Sequence, residues 1–173
     1  MPDQSATSDH NAELQQHLKE MFNLARSGEA TTLARLLDLG VPANLRNEKG
    51  DTLLMLACYH GHFDAARVLL EHGADTELYN DNGQLPLAAA AFKDYRDIAE
   101  LLLASGARVD GAAPDGRTAL MMAAMFNRTG IVELMLAHGA DPHARNAKGL
   151  NARELAESMG APETVVQLAA LGA

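Results

Sequence analysis

Ligand-type side chains come closest together at Cys58, His60 and His62. Cys58 and His62 are four residues apart, the interval that puts two side chains on one face of a helix and suits a metal pair. A packing reading competes with it. Cys58 falls in a column of small residues, where a free thiol behaves as a small hydrophobe. His72 and His138 occupy equivalent places in a repeating pattern, so their recurrence reflects repetition rather than a catalytic pair. His10, His17 and His143 have no evident partners. Carboxylates are numerous but scattered, and none stands alone in an apolar run that would raise its pKa. No phosphate loop, nucleophile elbow or Cys–His nucleophile arrangement is present. The expectation is a protein that is not an enzyme, with no catalytic, cofactor-binding or metal-ligating residue.

The elements that must position any functional surface are set by glycine. Twelve of the 14 glycines fall into three columns spaced 33 residues apart. One holds Gly40, Gly73, Gly106, Gly139 and Gly172; a second holds Gly50, Gly83, Gly116 and Gly149. The third holds Gly28, Gly61 and Gly160, with Asp94 and Asn127 in its two remaining places. Asn and Asp are the residues other than glycine that best tolerate positive φ. Only Gly111 and Gly130 lie outside the register. A fixed period of this size means stacked supersecondary units.

One full unit is clearest in residues 47–79. Thr52 can cap a short helix that Gly61 ends, and a second helix from about Asp64 to His72 closes on Gly73 at its left-handed C′ position. The segment 74–82 then ends in the turn residues Asn80-Asp81-Asn82-Gly83, giving helix, turn, helix and an extended hairpin. Pro86 suits the first helical position of the third unit. Asn151 and Glu154 have the spacing of a capping box in the fifth. Before these units, Leu14, Leu18, Met21, Phe22 and Ala25 mark a longer first helix with Asp9 as its N-cap. Residues 1–11 are polar without apolar periodicity, and a disordered tail is expected there. The repeat domain is then 12–173, with units at about 14–46, 47–79, 80–112, 113–145 and 146–173.

Apolar columns run through the units. One is Leu36, Leu69, Leu102, Met135 and Leu168; a smaller one is Leu24, Ala57, Ala90, Ala123 and Ala156. At the ends the columns turn polar. Arg153 and Glu157 replace Leu and Ala or Cys in the fifth unit, and Asn23 and Arg35 replace apolar residues in the first. Terminal units of a solenoid need a polar outer face, so the first and fifth units are caps.

Composition bounds the rest. With seven aromatics (Phe 4, Tyr 3, Trp 0) the core must be aliphatic. A formal charge of −9 disfavours nucleic acid; it suits a basic or neutral protein partner, or it merely keeps the chain soluble. The single cysteine suits a reducing compartment, no stretch reaches membrane-span length, and the polar opening Met1–Ser5 is not a secretion signal. A cytoplasmic monomer with no membrane partner is expected.

Gly50-Asp51-Thr52-Leu53-Leu54-Met55-Leu56-Ala57, Gly61-His62 and Val68-Leu69-Leu70-Glu71-His72-Gly73-Ala74-Asp75 together resemble the ankyrin repeat. Gly116–Ala124 and Leu136–Asp141 repeat the pattern, and the resemblance runs from about Leu14 to Ala173. The chain is similar to small stand-alone ankyrin proteins of bacteria. Two features depart from the family. Its first-helix histidine is replaced by Met55, Ala88, Met121 and Glu154, and its Gly-His pair survives only at Gly61-His62. The resemblance implies an all-α ankyrin-repeat solenoid: helix-turn-helix units joined by β-hairpin loops, about five repeats, polar caps at both ends.

It also implies a non-catalytic module that binds a protein through its concave face and hairpin tips. Carried over by position, the first-helix column is Arg26, Tyr59, Phe92, Met125 and Ser158, and beside it run Ser27, His60, Lys93, Phe126 and Met159. Tyr59, Phe92, Met125 and Phe126 would form an apolar centre flanked by His60 and Lys93. The fingers would add Glu48, Asp51, Asp81, Asp115 and Arg117 as a mostly acidic rim. Two other readings stay open: the aromatics stack between repeats and only seal the groove, and the finger charges are merely solvated. Within binding, an inhibitor or immunity-type subunit of one enzyme or toxin is the alternative. A metal protein using Cys58, His60 and His62, or a self-associating scaffold, stands further off.

Overall fold

The computed structural model describes residues 4–172, with side chains described from Gln16 onward. Among these residues ten helices alternate between two layers. The inner layer is α1 (Gln4–Ser27), α3 (Leu53–His60), α5 (Pro86–Lys93), α7 (Ala119–Met125) and α9 (Ala152–Met159). The outer layer is α2 (Ala30–Asp38), α4 (Phe63–Glu71), α6 (Arg96–Ala104), α8 (Thr129–Ala137) and α10 (Pro162–Ala169). Each helix packs on the next member of its own layer and on its partner within the repeat. The result is an all-α solenoid of five helix pairs.

Local sequence explains each boundary. Thr52 and Thr118 accept hydrogen bonds from the Met55 and Met121 amides at 3.1 and 3.3 Å. Pro86 opens α5 at a position that needs no N–H. Asn151 and Glu154 form a reciprocal capping box, with bonds of 2.9 and 2.8 Å. All twelve register glycines have positive φ, and so do Asp94 (65°) and Asn127 (59°). Gly73 shows why that conformation is used: it lets its own amide bond the Leu70 carbonyl and the Ala74 amide bond Leu69, both at 3.0 Å.

The core is aliphatic. Leu69, Leu102, Met135 and Leu168 are fully buried down the outer layer, and Ala57, Ala90, Ala123 and Ala156 down the inner one. Small residues there let the inner helices approach closely. At the fifth repeat the apolar column ends in Arg153, whose guanidinium meets Glu157 at 2.9 Å on the polar outer face. Asn23 and Arg35 are exposed at the other end.

One expectation needs correction. The first helix starts at Gln4, so residues 4–11 are helical where a disordered tail was expected, and Asp9 lies inside the helix instead of capping it. Extending a helix already anchored by Met21, Phe22 and Ala25 costs far less than nucleating one, so it can run past its apolar face. Residues 1–3, also assigned to the tail, lie outside the described residues. The units are joined by the expected hairpin loops, which are tight. Each finger closes on two main-chain bonds: Asn47–Asp51, Asn80–Gln84, Ala113–Arg117 and Asn146–Leu150 at 3.0 to 3.3 Å, and a turn bond from Gly50, Gly83, Gly116 or Gly149 back to the first residue of the finger at 2.8 to 2.9 Å. Isolated bridges appear at Arg46–Thr52 and Ala112–Thr118.

Candidate partner-binding surface

The expected strip comes together at the C-terminal ends of α3, α5 and α7. Tyr59 and Phe92 stack with centroids 6.4 Å apart and planes inclined by 27°. Phe92 meets Phe126 edge-on at 4.5 Å and 75°. The Lys93 ammonium lies 4.4 Å from the Tyr59 ring centre and 5.6 Å from Phe92, a double cation–π contact. His60 sits edge-on to Tyr59 at 5.4 Å. The three aromatic rings are half-buried and form one ladder across three repeats. Met125 differs: it packs against the buried core. Between Phe92, Met122 and Ala88 lies a crevice of only about 30 Å³, room for little more than a water, so this strip offers a surface and not a cavity.

The finger residues divide by role. Asp51 is half-buried and accepts from Asn47 at 3.1 Å and from Asn80 of the next finger at 2.7 Å. Asp115 holds the Arg117 guanidinium at 2.5 Å, so these two expected rim charges neutralise each other. Glu48 and Asp81 are exposed at the tips.

The fingers are tied to one another by residues that the sequence reading passed over. Asn47, Asn80 and Asn146 recur at the 33-residue interval and multiples of it. Each turns its amide oxygen onto two backbone amides of its own finger, at 2.9 to 3.1 Å. Neighbouring fingers are then joined by main-chain bonds from Asp81 to the Lys49 carbonyl (3.0 Å) and from Ala147 to the Asp115 carbonyl (2.8 Å). The corresponding donor between the third and fourth repeats would be residue 114, which is proline and has no N–H. Ala113 also replaces the column's asparagine there.

Cys58 and His62 serve packing. The thiol is fully buried, which pushes its pKa up. His62 places Nε2 2.7 Å from the Arg26 carbonyl and covers Gly28, where a Cβ would come within 2.5 Å of the imidazole. Arg128, in the same column, donates to the Phe92 carbonyl at 3.3 Å. This position therefore satisfies carbonyls left open at the end of the preceding inner helix. Burial first, then His62, Arg26 and Lys93, hold the His60 pKa below its usual value. Among the described residues no three His, Cys, Asp or Glu side chains are placed to hold a metal ion.

His72 and His138 close the outer helices by turning Nδ1 onto the Val68 and Leu134 carbonyls at 2.8 and 3.0 Å. His72 alone reaches back to the preceding repeat, with Nε2 3.0 Å from Asp38. Its pKa is raised, first by the Asp38 hydrogen bond and then by the Val68 carbonyl. No helix among the described residues is long and apolar enough to cross a membrane.

Comparison with known proteins agrees with this architecture. The family model for ankyrin repeats in three copies matches residues 21–113, and a single ankyrin repeat matches 115–147. A curated ankyrin repeat protein of Pseudomonas aeruginosa is 54% identical over 56 residues, covering 32% of this chain. That stretch is 33% of the relative, so the chain spans about a third of the length of the curated protein it matches.

Proposed function

The chain belongs to the ankyrin-repeat family, and from that membership we propose that it grips one protein partner through its concave face and finger tips. Ankyrin repeats mark a protein-interaction module, and the family is typically non-catalytic. The finer reading rests on one observation. Tyr59, Phe92 and Phe126 form a half-buried ladder on a strip where the repeat needs no apolar side chain. Rings held by mutual contact and by Lys93 are preorganised, so a partner need not pay to order them. Binding is rigid surface complementarity, with His60 and Lys93 beside the rings and Glu48 and Asp81 at the rim. An overall charge of −9 suits a partner whose surface is basic or neutral. The single unpaired Cys58 supports a reducing, cytoplasmic setting.

The test is capture of the partner from the native host by the wild-type chain and by the Phe92→Ala/Phe126→Ala double variant. A partner retained by the wild type and lost by the folded variant supports the reading. Equal retention by both removes the strip from the interface.

A further inference from the structure

The concave side is not acidic throughout. Between α1 and the finger of the second repeat lies an open groove of about 450 Å³. Half-buried Leu18 and buried Phe22 form its apolar floor, and Lys19, Arg26, Arg46 and Lys49 surround it. Four of the chain's 14 Lys and Arg thus line one groove against one carboxylate among the described residues, Glu48, although the formal charge is −9. Arg46 is already committed, donating to the Tyr79 carbonyl at 2.8 Å, with the Asp81 carboxylate close by across Gly50. Among the described residues the Arg26 guanidinium bonds only the neutral Asn23 amide, at 3.0 Å. Lys19, Arg26 and Lys49 are exposed and form no ion pair among the described residues.

Uncompensated cations around an apolar floor call for an anionic ligand that also carries an apolar group. A nucleic acid would meet only three free cations here and a repelling field elsewhere. A protein segment needs no more than this groove provides. We propose that the groove receives an acidic peptide segment of the partner, its carboxylates on Lys19, Arg26 and Lys49 and an apolar side chain on Leu18 and Phe22. The inference rests on the concave face being the partner surface and adds a polarity to it. A partner that is basic elsewhere must bring its acidic stretch to the N-terminal end of the solenoid.

The test titrates a short fluorescent peptide of alternating glutamate and leucine into the full chain, beside its lysine–leucine counterpart and a single-stranded oligonucleotide. The glutamate peptide is expected to bind, to weaken with added salt, and to move the amide resonances of Lys19, Arg26 and Lys49. Reversing those three charges (Lys19→Glu/Arg26→Glu/Lys49→Glu) should lower affinity about tenfold or more with little change in thermal midpoint, because all three are exposed. Phe92→Ala/Phe126→Ala should keep peptide binding. Loss in that variant with retention after charge reversal overturns the groove while leaving the aromatic strip as the interface. Equal binding of the lysine peptide, preference for the oligonucleotide, or failure of the glutamate peptide to bind overturns the proposal outright.

Discussion

Asn80 donates to the Asp51 carboxylate at 2.7 Å and to Gln84 at 2.9 Å, so one buried amide links the fingers of the second and third repeats. Its oxygen accepts from the Asn82 and Gln84 amides, leaving little of its bonding capacity unused. Replacing Asn80 with Ala would strip all four bonds from groups that are half-buried. We expect a loss of about 1–3 kcal/mol, read as a lower denaturant midpoint with an unchanged slope.

The same column argues for a gain at Ala113. The finger of the fourth repeat lacks the asparagine its neighbours use, and Ala113 sits where Asn80 does one repeat earlier. Ala113→Asn should add stability of about 0.5–1 kcal/mol by supplying an acceptor for the Asp115 amide, the Arg117 amide being already held by Asp115 at 3.0 Å, read by the same denaturant titration. Combining it with Pro114→Ala restores a main-chain donor towards the third repeat. The double variant should exceed the single one.

Asp94 and Asn127 share a left-handed backbone but not a side-chain role. Asn127 bonds Glu163 and accepts from the Thr164 amide at 3.2 Å, and the Glu163 carboxyl is held below its usual range mainly by that asparagine. No comparable bond holds Asp94 among the described residues. Asp94→Gly should therefore raise stability by roughly 0.5–1 kcal/mol through relief of positive-φ strain, seen as a higher thermal midpoint. Asn127→Gly should lower it. A gain at both positions would mean that backbone strain outweighs the Asn127 contacts.

The His72–Asp38 contact makes one inter-repeat link depend on pH. Because the folded pKa of His72 is raised, its contribution is complete below the ordinary histidine value and fades as pH climbs through the raised one. Asp38, Glu71 and the Val68 carbonyl are the groups that favour the charged ring. Asp38→Asn should lower the thermal midpoint at pH about 5.5 and leave it nearly unchanged at about 8.5. His138 offers the control: residue 104, where a partner would stand, is alanine.

Phe92 and Phe126 touch directly, so truncating them carries a structural cost as well as a binding one. The edge-on pair should show a coupling of about 0.5–1.5 kcal/mol in a double-mutant cycle of unfolding. Capture of the partner must therefore be compared at a temperature where both variants remain folded. A coupling near zero would mean that the rings part in solution.

Much of this architecture is readable from local signals. Positive φ at Asp94 and Asn127, the caps at Thr52, Thr118 and Asn151, and the start of α5 at Pro86 all depend on residues within one turn of the chain. The asparagine column lay in plain view at the same period, but polar residues in a turn look alike until their partners are known. The cationic groove was hidden for another reason. It exists only because α1 brings Lys19 and Arg26 beside Arg46 and Lys49, and no local pattern reports that approach. The start of α1 was misjudged because apolar periodicity marks the buried face of a helix and not its length.

Cys58 lies sealed within α3, the helix that packs between α1 and α5, and it is the chain's one thiol. A thiol reagent can reach it only when those layers part. The protein thus carries its own clock for the breathing of its N-terminal half: the labelling rate counts openings of the stack, and a partner seated across the first three repeats would slow it.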